Sequence, residues 1–300
     1  MRITRLATAA AGVVLMAGLT ACGGGDAKDG AKDHAKDGAK ASDRASGGDS
    51  AAGQGALTAL QSVSKKAGQQ RSAKVDGTMS MGEMHVSMKG DMDWSDGIRA
   101  NMTMTQKGGA ADAAPTAGKP MRARYLPEAM YMNLGSSLGP KAQGKSWVKY
   151  SYDAMAAQAG ASGTFLKDQL KNNDPSRSVD LLIASGKVKE VGKEDVRGKQ
   201  ATHYTGKVSV SEIAGLQSKS LSKKDLDALQ KQLQQSGMDT ETVDLWVDGD
   251  HLLVKRQERA QGKKFSTDTT VFYSDYGTKV SVAPPAASET VDFAELMPKR

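Results

Sequence analysis

Residues 74–105 alternate with period two, and that alternation limits the chain to a sheet with one wet and one covered face. Val75, Gly77, Met79 and Met81 fall on one face of a predicted strand, and Lys74, Asp76, Thr78 and Ser80 on the other. Met84, Val86, Met88, Gly90, Met92 and Trp94 then alternate with His85, Ser87, Lys89, Asp91 and Asp93. After a turn at Asp96-Gly97, Ile98, Ala100, Met102 and Met104 alternate with Arg99, Asn101, Thr103 and Thr105. Antiparallel pairing suits this pattern, because parallel strands are buried on both sides. A loop rich in Ala, Gly, Pro and Thr spans 108–118, and weaker strands are predicted at 121–126, 128–134 and 146–151.

The pattern then changes to a helical period. Residues 153–170 carry Phe165, Leu166 and Leu170, with Gly160 and Gly163 as breaks. Asp174-Pro175 reads as a helix start, Val179, Leu182 and Ile183 as its apolar stripe, and Ser185-Gly186 as its stop. Further strands are predicted at 187–196, 199–210, 242–248, 251–260 and 263–273, with a hairpin turn at Asp248-Gly249-Asp250. A helix interrupts them, opened by the capping box Ser222-x-x-Asp225 and striped by Leu226, Leu229 and Leu233. Another helix, 56–67, opens the body with Leu57, Leu60 and Val63. Strands grouped with strands give an α+β class. The expected architecture is a strongly curved antiparallel β-sheet, a half-barrel, whose concave apolar face is covered by helices.

The first 55 residues belong to no such body. Arg2 and Arg5 precede an apolar run, 6–19, which at ~1.5 Å per residue is about 21 Å of helix, less than the ~30 Å of a bilayer core. Residues 1–21 therefore read as a signal peptide. Leu19-Thr20-Ala21-Cys22 matches the lipobox of bacterial lipoproteins, and Cys22 is the single cysteine of the chain. That resemblance implies a lipidated Cys22, cleavage before it, and anchoring on the extracytoplasmic face of the cell membrane. The alternative is an ordinary secretory signal with an incidental Cys. Residues 23–55 hold no Leu, Ile, Val, Met or aromatic residue and repeat Ala-Lys-Asp, so residues 22–55 are read as a disordered tether. As a flexible coil it spans about 30 Å, and ~115 Å if pulled straight.

From Asp174 onward the order of several blocks resembles a known family. They are Asp174-Pro175 through Leu182, Val191-Gly192-Lys193-Glu194-Asp195-Val196-Arg197-Gly198 and Thr202-His203-Tyr204, then Leu245-Trp246-Val247-Asp248. Phe272 through Gly277, Val280 through Pro285 and Val291-Asp292 complete the set. With the lipobox, the chain resembles the LppX/LprAFG-like family of envelope lipoproteins, whose fold is similar to the LolA/LolB carriers. The resemblance implies that residues 56–300 form one lipid-binding domain with an apolar cavity for acyl chains of envelope lipids or lipoproteins. The long Lys/Asp tether and the Met-rich first hairpins depart from the family pattern.

Methionine marks the candidate site. Of 15 Met, nine lie on covered strand faces: 79, 81, 84, 88, 92, 102, 104, 130 and 132. Thioethers are long, unbranched and polarizable, and adapt to variable apolar partners. The expected ligand lining is Met79, Met81, Met84, Val86, Met88, Met92, Trp94, Ile98, Met102, Met104, Met130 and Met132. The competing readings are a filled core with an envelope protein as partner, and Cu(I) held by the pairs Met79/Met81, Met102/Met104 and Met130/Met132.

Other chemistry finds little support. The chain lacks GxSxG, GxxxxGK[ST], a Rossmann fingerprint and HExxH, so neither enzyme activity nor a cofactor is expected. His203 and His251 fall within strand patterns and are read as structural or surface residues, and Asp248-Gly249-Asp250 as a turn rather than a Ca²⁺ loop. The net charge of +7 includes Arg2 and Arg5, and the body keeps a basic surplus suited to solvation or to anionic lipid head groups. Aromatics at 5% leave little for base stacking, and nucleic acid is not an expected partner.

Overall fold

The computed structural model describes residues 48–171, 174–209, 212–213, 222–235, 237, 240–262 and 266–296. The predicted signal sequence, Cys22, His34 and most of the predicted tether lie outside them. Helix α1 (Gly48–Gln69) starts at Gly48 rather than at residue 56. It buries Ala56, Leu60, Val63 and Ala67, four positions one helical face apart.

The strands are β1 (Ser72–Met81), β2 (Met84–Asp93), β3 (Arg99–Lys107), β4 (Met121–Tyr125), β5 (Ala129–Asn133) and β6 (Trp147–Ser151). The second half gives β7 (Val188–Val196), β8 (Lys199–Ser209), β9 (Thr240–Asp248), β10 (Leu253–Gln261), β11 (Ser266–Ser274) and β12 (Thr290–Asp292). They form one curved, unclosed sheet in the order β12-β6-β5-β4-β3-β2-β1-β11-β10-β9-β8-β7. Two antiparallel meanders are thus joined where β1 pairs with β11. The α+β half-barrel expected from the sequence is the observed fold. One pairing departs from the antiparallel rule: β12 lies parallel to β6. It arrives there because the chain crosses the back of the sheet after β11. Asn101 Nδ2 donates to the Ser281 carbonyl at 3.0 Å and Arg124 Nη1 to the Ala283 carbonyl at 3.0 Å, holding that crossing segment.

Helix α2 (Tyr152–Lys171) is kinked at Gly160 alone, and helical geometry continues through Gly163. Helix α3 (Ser176–Ser185) starts after Pro175, and Asp174 accepts the Ser176 N–H at 2.9 Å. It stops at Gly186, which is left-handed. Helix α4 (Lys223–Gln235) carries the capping box: the Asp225 N–H donates to Ser222 Oγ at 3.2 Å, and that hydroxyl donates to the Asp225 carboxylate. The Asp248 turn also forms, its Oδ1 accepting the N–H groups of Asp250 at 3.1 Å and Leu252 at 3.0 Å. Strand β10 therefore begins at Leu253, with His251 left-handed in the turn.

Helices pack on the flanks of the sheet. Helix α2 and the short α5 (Phe293–Leu296) meet β6, while α1 meets β7 and α3 meets β7, β8 and β9. Close packing of α3 depends on Gly206 of β8, where a Cβ would sit 2.5 Å from Leu182 Cδ1 and 2.4 Å from the Lys187 carbonyl. The main core joins the covered faces of both meanders with Leu60, Val63, Val179 and Leu182 from the helices.

Candidate functional site

Register fixes which side chains share the concave face. Met79 lies opposite Val86, Met81 opposite Met84, and Gly77 opposite Met88. Met88 faces Met104, and Met104 faces Met121, so three thioethers form a row across β2, β3 and β4. Met92 pairs with Ala100, and Met102 with Gly90. Met132 pairs with Ala123 and Met130 with Tyr125, which continues the face into β5. Gly90 is needed there: a Cβ would lie 1.9 Å from the Asn101 carbonyl oxygen and 2.9 Å from Met102 Sδ. Ile98 is buried just ahead of β3, and Trp94 packs edge-on against Tyr276, ring centroids 6.3 Å apart.

The methionines divide by burial. On the β6 flank Met130 and Met132 are each 2% exposed and fully packed, and Met121 and Met102 are buried beside them. Met79, Met81, Met84, Met88, Met92 and Met104 are half-buried. Val86 is buried among them. Among the described residues, the main helix–strand contacts lie toward the two ends of the strand order, α2 and α5 on β6 and α1 and α3 on β7 to β9. The centre of the concave face is thus a strip of partly exposed thioether and methyl groups. Tyr125 closes its β4 side, the hydroxyl 3.6 Å from Met104 Sδ and its pKa pushed up to about 12 by burial.

A charged corner adjoins this strip, and sequence reasoning missed it. Thr269 lies opposite Met79, and Thr267 opposite Met81. On β10, Glu258 lies opposite Thr269, and Arg256 opposite Val271. On β9, Val243 lies opposite Glu258, and Glu241 opposite Ala260. Glu241 and Glu258 are therefore diagonal neighbours on the concave face. The Arg256 side chain is 9% exposed, its Nη1 standing 3.6 Å from Glu258 Oε1. Ser178 of α3 links the two: it accepts from Arg256 Nη1 at 2.9 Å and donates to Glu258 Oε1 at 2.6 Å. Arg256 Nε is buried and has no hydrogen-bond partner among the described residues. Burial pushes the Glu241 carboxyl up to about 8; Glu258 adds to the rise and Arg256 opposes it. Burial also pulls Arg256 down, but the charge of Glu258 above all, and those of Tyr273 and Glu241 once they ionise, more than reverse this. Arg177 beside them is held below its usual value by burial. The signal was hidden because residues 255–259 are all polar, so alternation does not mark an inward face there.

The convex face carries His203 and His85. His203 Nδ1 and Nε2 lie 2.9 Å from Glu194 and Asp244, and its ring stacks on Trp246 at 4.2 Å. Burial raises Asp244, but hydrogen bonds from Thr205, His203 and Arg259 outweigh it and leave the carboxylate below its ordinary range. His85 is exposed and pairs with Ser80 at 2.8 Å. These groups face away from the methionine strip. Among the described residues, no group of three or more His, Cys, Asp or Glu is placed to hold a metal ion.

Known proteins are similar to this chain in sequence or in structure. An uncharacterised 31.2 kDa protein of Streptomyces griseus is 45% identical over 247 residues, covering 80% of each chain. A Streptomyces coelicolor protein provisionally named a lipoprotein is 33% identical over 242 residues, covering 80% of this chain and 75% of its own. The chain belongs to the family of these streptomycete proteins. No family model matches it. Among solved structures, LprF of Mycobacterium bovis is 15% identical, with 78% of this chain and 98% of LprF covered and a TM-score of 0.46. The lipoprotein LppX of Mycobacterium tuberculosis is 16% identical, with 76% and 99% covered and a TM-score of 0.47. These two bear the names of the group that residues 174–292 resemble.

Proposed function

We propose that the protein is a membrane-anchored extracytoplasmic lipoprotein that shelters acyl chains of envelope lipids or lipoproteins on its concave face, without catalysis. The reading rests on one observation above all: half-buried Met79, Met81, Met84, Met88, Met92 and Met104 lie on one face, between flanks that helices pack against. Apolar burial at ~25 cal/mol per Å² supplies the driving force, reduced by the cost of ordering a flexible chain. Thioethers suit a guest of variable shape. In this reading residues 1–21 are the removed signal, Cys22 carries acyl groups, and residues 23–47 form the tether ahead of α1. Two or more acyl chains on Cys22 make a stable anchor, whereas one gives only reversible binding. The chain offers no nucleotide-binding motif, so carriage is passive, between membranes or partners.

The test is displacement of a fluorescent fatty-acyl probe. Met88→Trp and Met81→Trp each fill the strip and should lower probe uptake at least about fivefold, by steric exclusion of apolar contact area. Met130→Leu on the sealed flank should leave uptake unchanged. Equal uptake by all three would refute the strip as the binding surface. A second reading, an envelope-protein docking module with a filled core, is favoured by the complete burial of Met130, Met132 and Val148. It predicts no probe uptake by any variant or by the parent chain.

A further inference from the structure

The charged corner has three features that packing alone does not account for. Arg256 is a guanidinium on the concave face of a sheet, its side chain 9% exposed, and its Nε has no partner among the described residues. A buried donor left unpaired is costly, and native structures retain few of them. The corner is also continuous with the methionine strip, since Thr269 lies opposite Met79 and Thr267 opposite Met81. Finally, it is reachable from its rim: the Glu258 side chain is 20% exposed, and Thr267, Thr269 and Glu241 are half-buried. An apolar strip that runs into a polar, partly open corner is the shape of a site for an amphiphile.

Charge selects the head group. Arg256 and Arg177 supply two cations, and Glu258, Asp174 and Asp168 are within electrostatic reach of them. Glu241 adds a fourth carboxyl, held protonated at neutral pH by burial first and by Glu258 second. A phosphate entering here would face more carboxylates than guanidiniums, and like charges in a poorly solvated site repel strongly. A hydroxyl instead donates to Glu258 and accepts from Arg256 Nε.

We infer that the corner formed by Arg256, Glu258, Glu241 and Ser178 receives a neutral, hydroxyl-bearing head group of the lipid whose acyl chain lies on the methionine strip. The inference rests on the acyl-chain reading above and adds the chemical class of the head. It makes Arg256 and Glu258 specificity-determining and leaves chain affinity to the methionines.

The test uses two lipids with one acyl chain and different heads: 1-oleoylglycerol, which is neutral, and 1-oleoyl-lysophosphatidylglycerol, which is anionic. Each competes with the fluorescent acyl probe for the full mature chain. The neutral lipid should displace the probe about tenfold more effectively, the difference expected of one charge-assisted hydrogen bond. Arg256→Gln should bring that ratio below about threefold while the probe itself still binds. Because Arg256→Gln perturbs a buried pair, Thr269→Val serves as the second variant: it lies on the rim and should lower the ratio with the fold intact, as checked by Trp fluorescence. Equal displacement by both lipids, or preference for the anionic one, overturns the head-group assignment alone. Failure of the probe and of both lipids to bind overturns acyl carriage itself, and the head-group assignment with it.

Discussion

Replacing Glu241 by Gln removes an ionisation that the fold opposes, and the consequence is a change in how stability depends on pH. Burial, seconded by Glu258, raises this carboxyl from 4.5 to about 8 in the folded chain. The unfolded chain releases the proton near the ordinary value, and the folded chain keeps it. Unfolding therefore liberates a proton between about pH 4.5 and 8, and stability falls as pH rises through that window. Below the window the contribution is fully present, and above it the loss is complete. A tenfold change in proton affinity is worth about 1.4 kcal/mol, so the whole rise sets an upper bound of roughly 5 kcal/mol. Glu241 is half-buried and can relax toward water on ionising, so we expect roughly 2 kcal/mol to be lost in practice. The assay is urea unfolding followed by Trp fluorescence at pH 5, 6.5, 8 and 9. The parent chain should lose stability steadily between pH 5 and 8, and Glu241→Gln should flatten that slope. An unchanged slope in the variant would refute the burial argument for this side chain.

Three further outcomes are expected, two from packing and one from the lipobox. Gly90→Ala places a methyl 1.9 Å from the Asn101 carbonyl oxygen and should cost about 1–3 kcal/mol, read as a lower urea midpoint at unchanged slope. Met132→Ala empties a site that is 2% exposed and should cost about 2–5 kcal/mol, whereas Met88→Ala on the half-buried strip should cost clearly less; equal costs would mean that the strip is ordinary core. Cys22→Ser should move the protein from the membrane fraction to the soluble extracytoplasmic fraction, and retention in the membrane would remove the lipid anchor from the account.

Much of the sheet was readable because methionine and charge alternate so regularly over β1 to β3. A one-residue slip there would turn every thioether to water, so the register carries its own signature. The α3 start at Asp174-Pro175 and the α4 capping box were readable because each depends on one or two side chains acting locally. Strand β12 was not, because three residues hold no period, and their place beside β6 is set by the long crossing behind the sheet. The start of α1 was missed because Gly48 to Gly55 offer no apolar stripe of their own. The division between sealed Met132 and half-buried Met88 was also illegible. Met88 alternates with polar Ser87 and Lys89, whereas Met132 lies in the short run Ala129 to Asn133, which is too brief to show a period and is buried at its first four positions. Arg256 and Glu258 sit in the all-polar run 255–259, and the register shift between Leu253 and Lys255 breaks the alternation that Val254 would otherwise extend into it.

The central claim is that the methionine strip holds a guest. The most direct measurement is native mass spectrometry of the mature chain, purified without detergent from a host that makes its natural envelope lipids. The predicted result is a bound species of lipid mass that organic extraction releases and that Met88→Trp diminishes. A parent chain flying at its own mass alone, under conditions gentle enough to preserve lipid complexes, would contradict it.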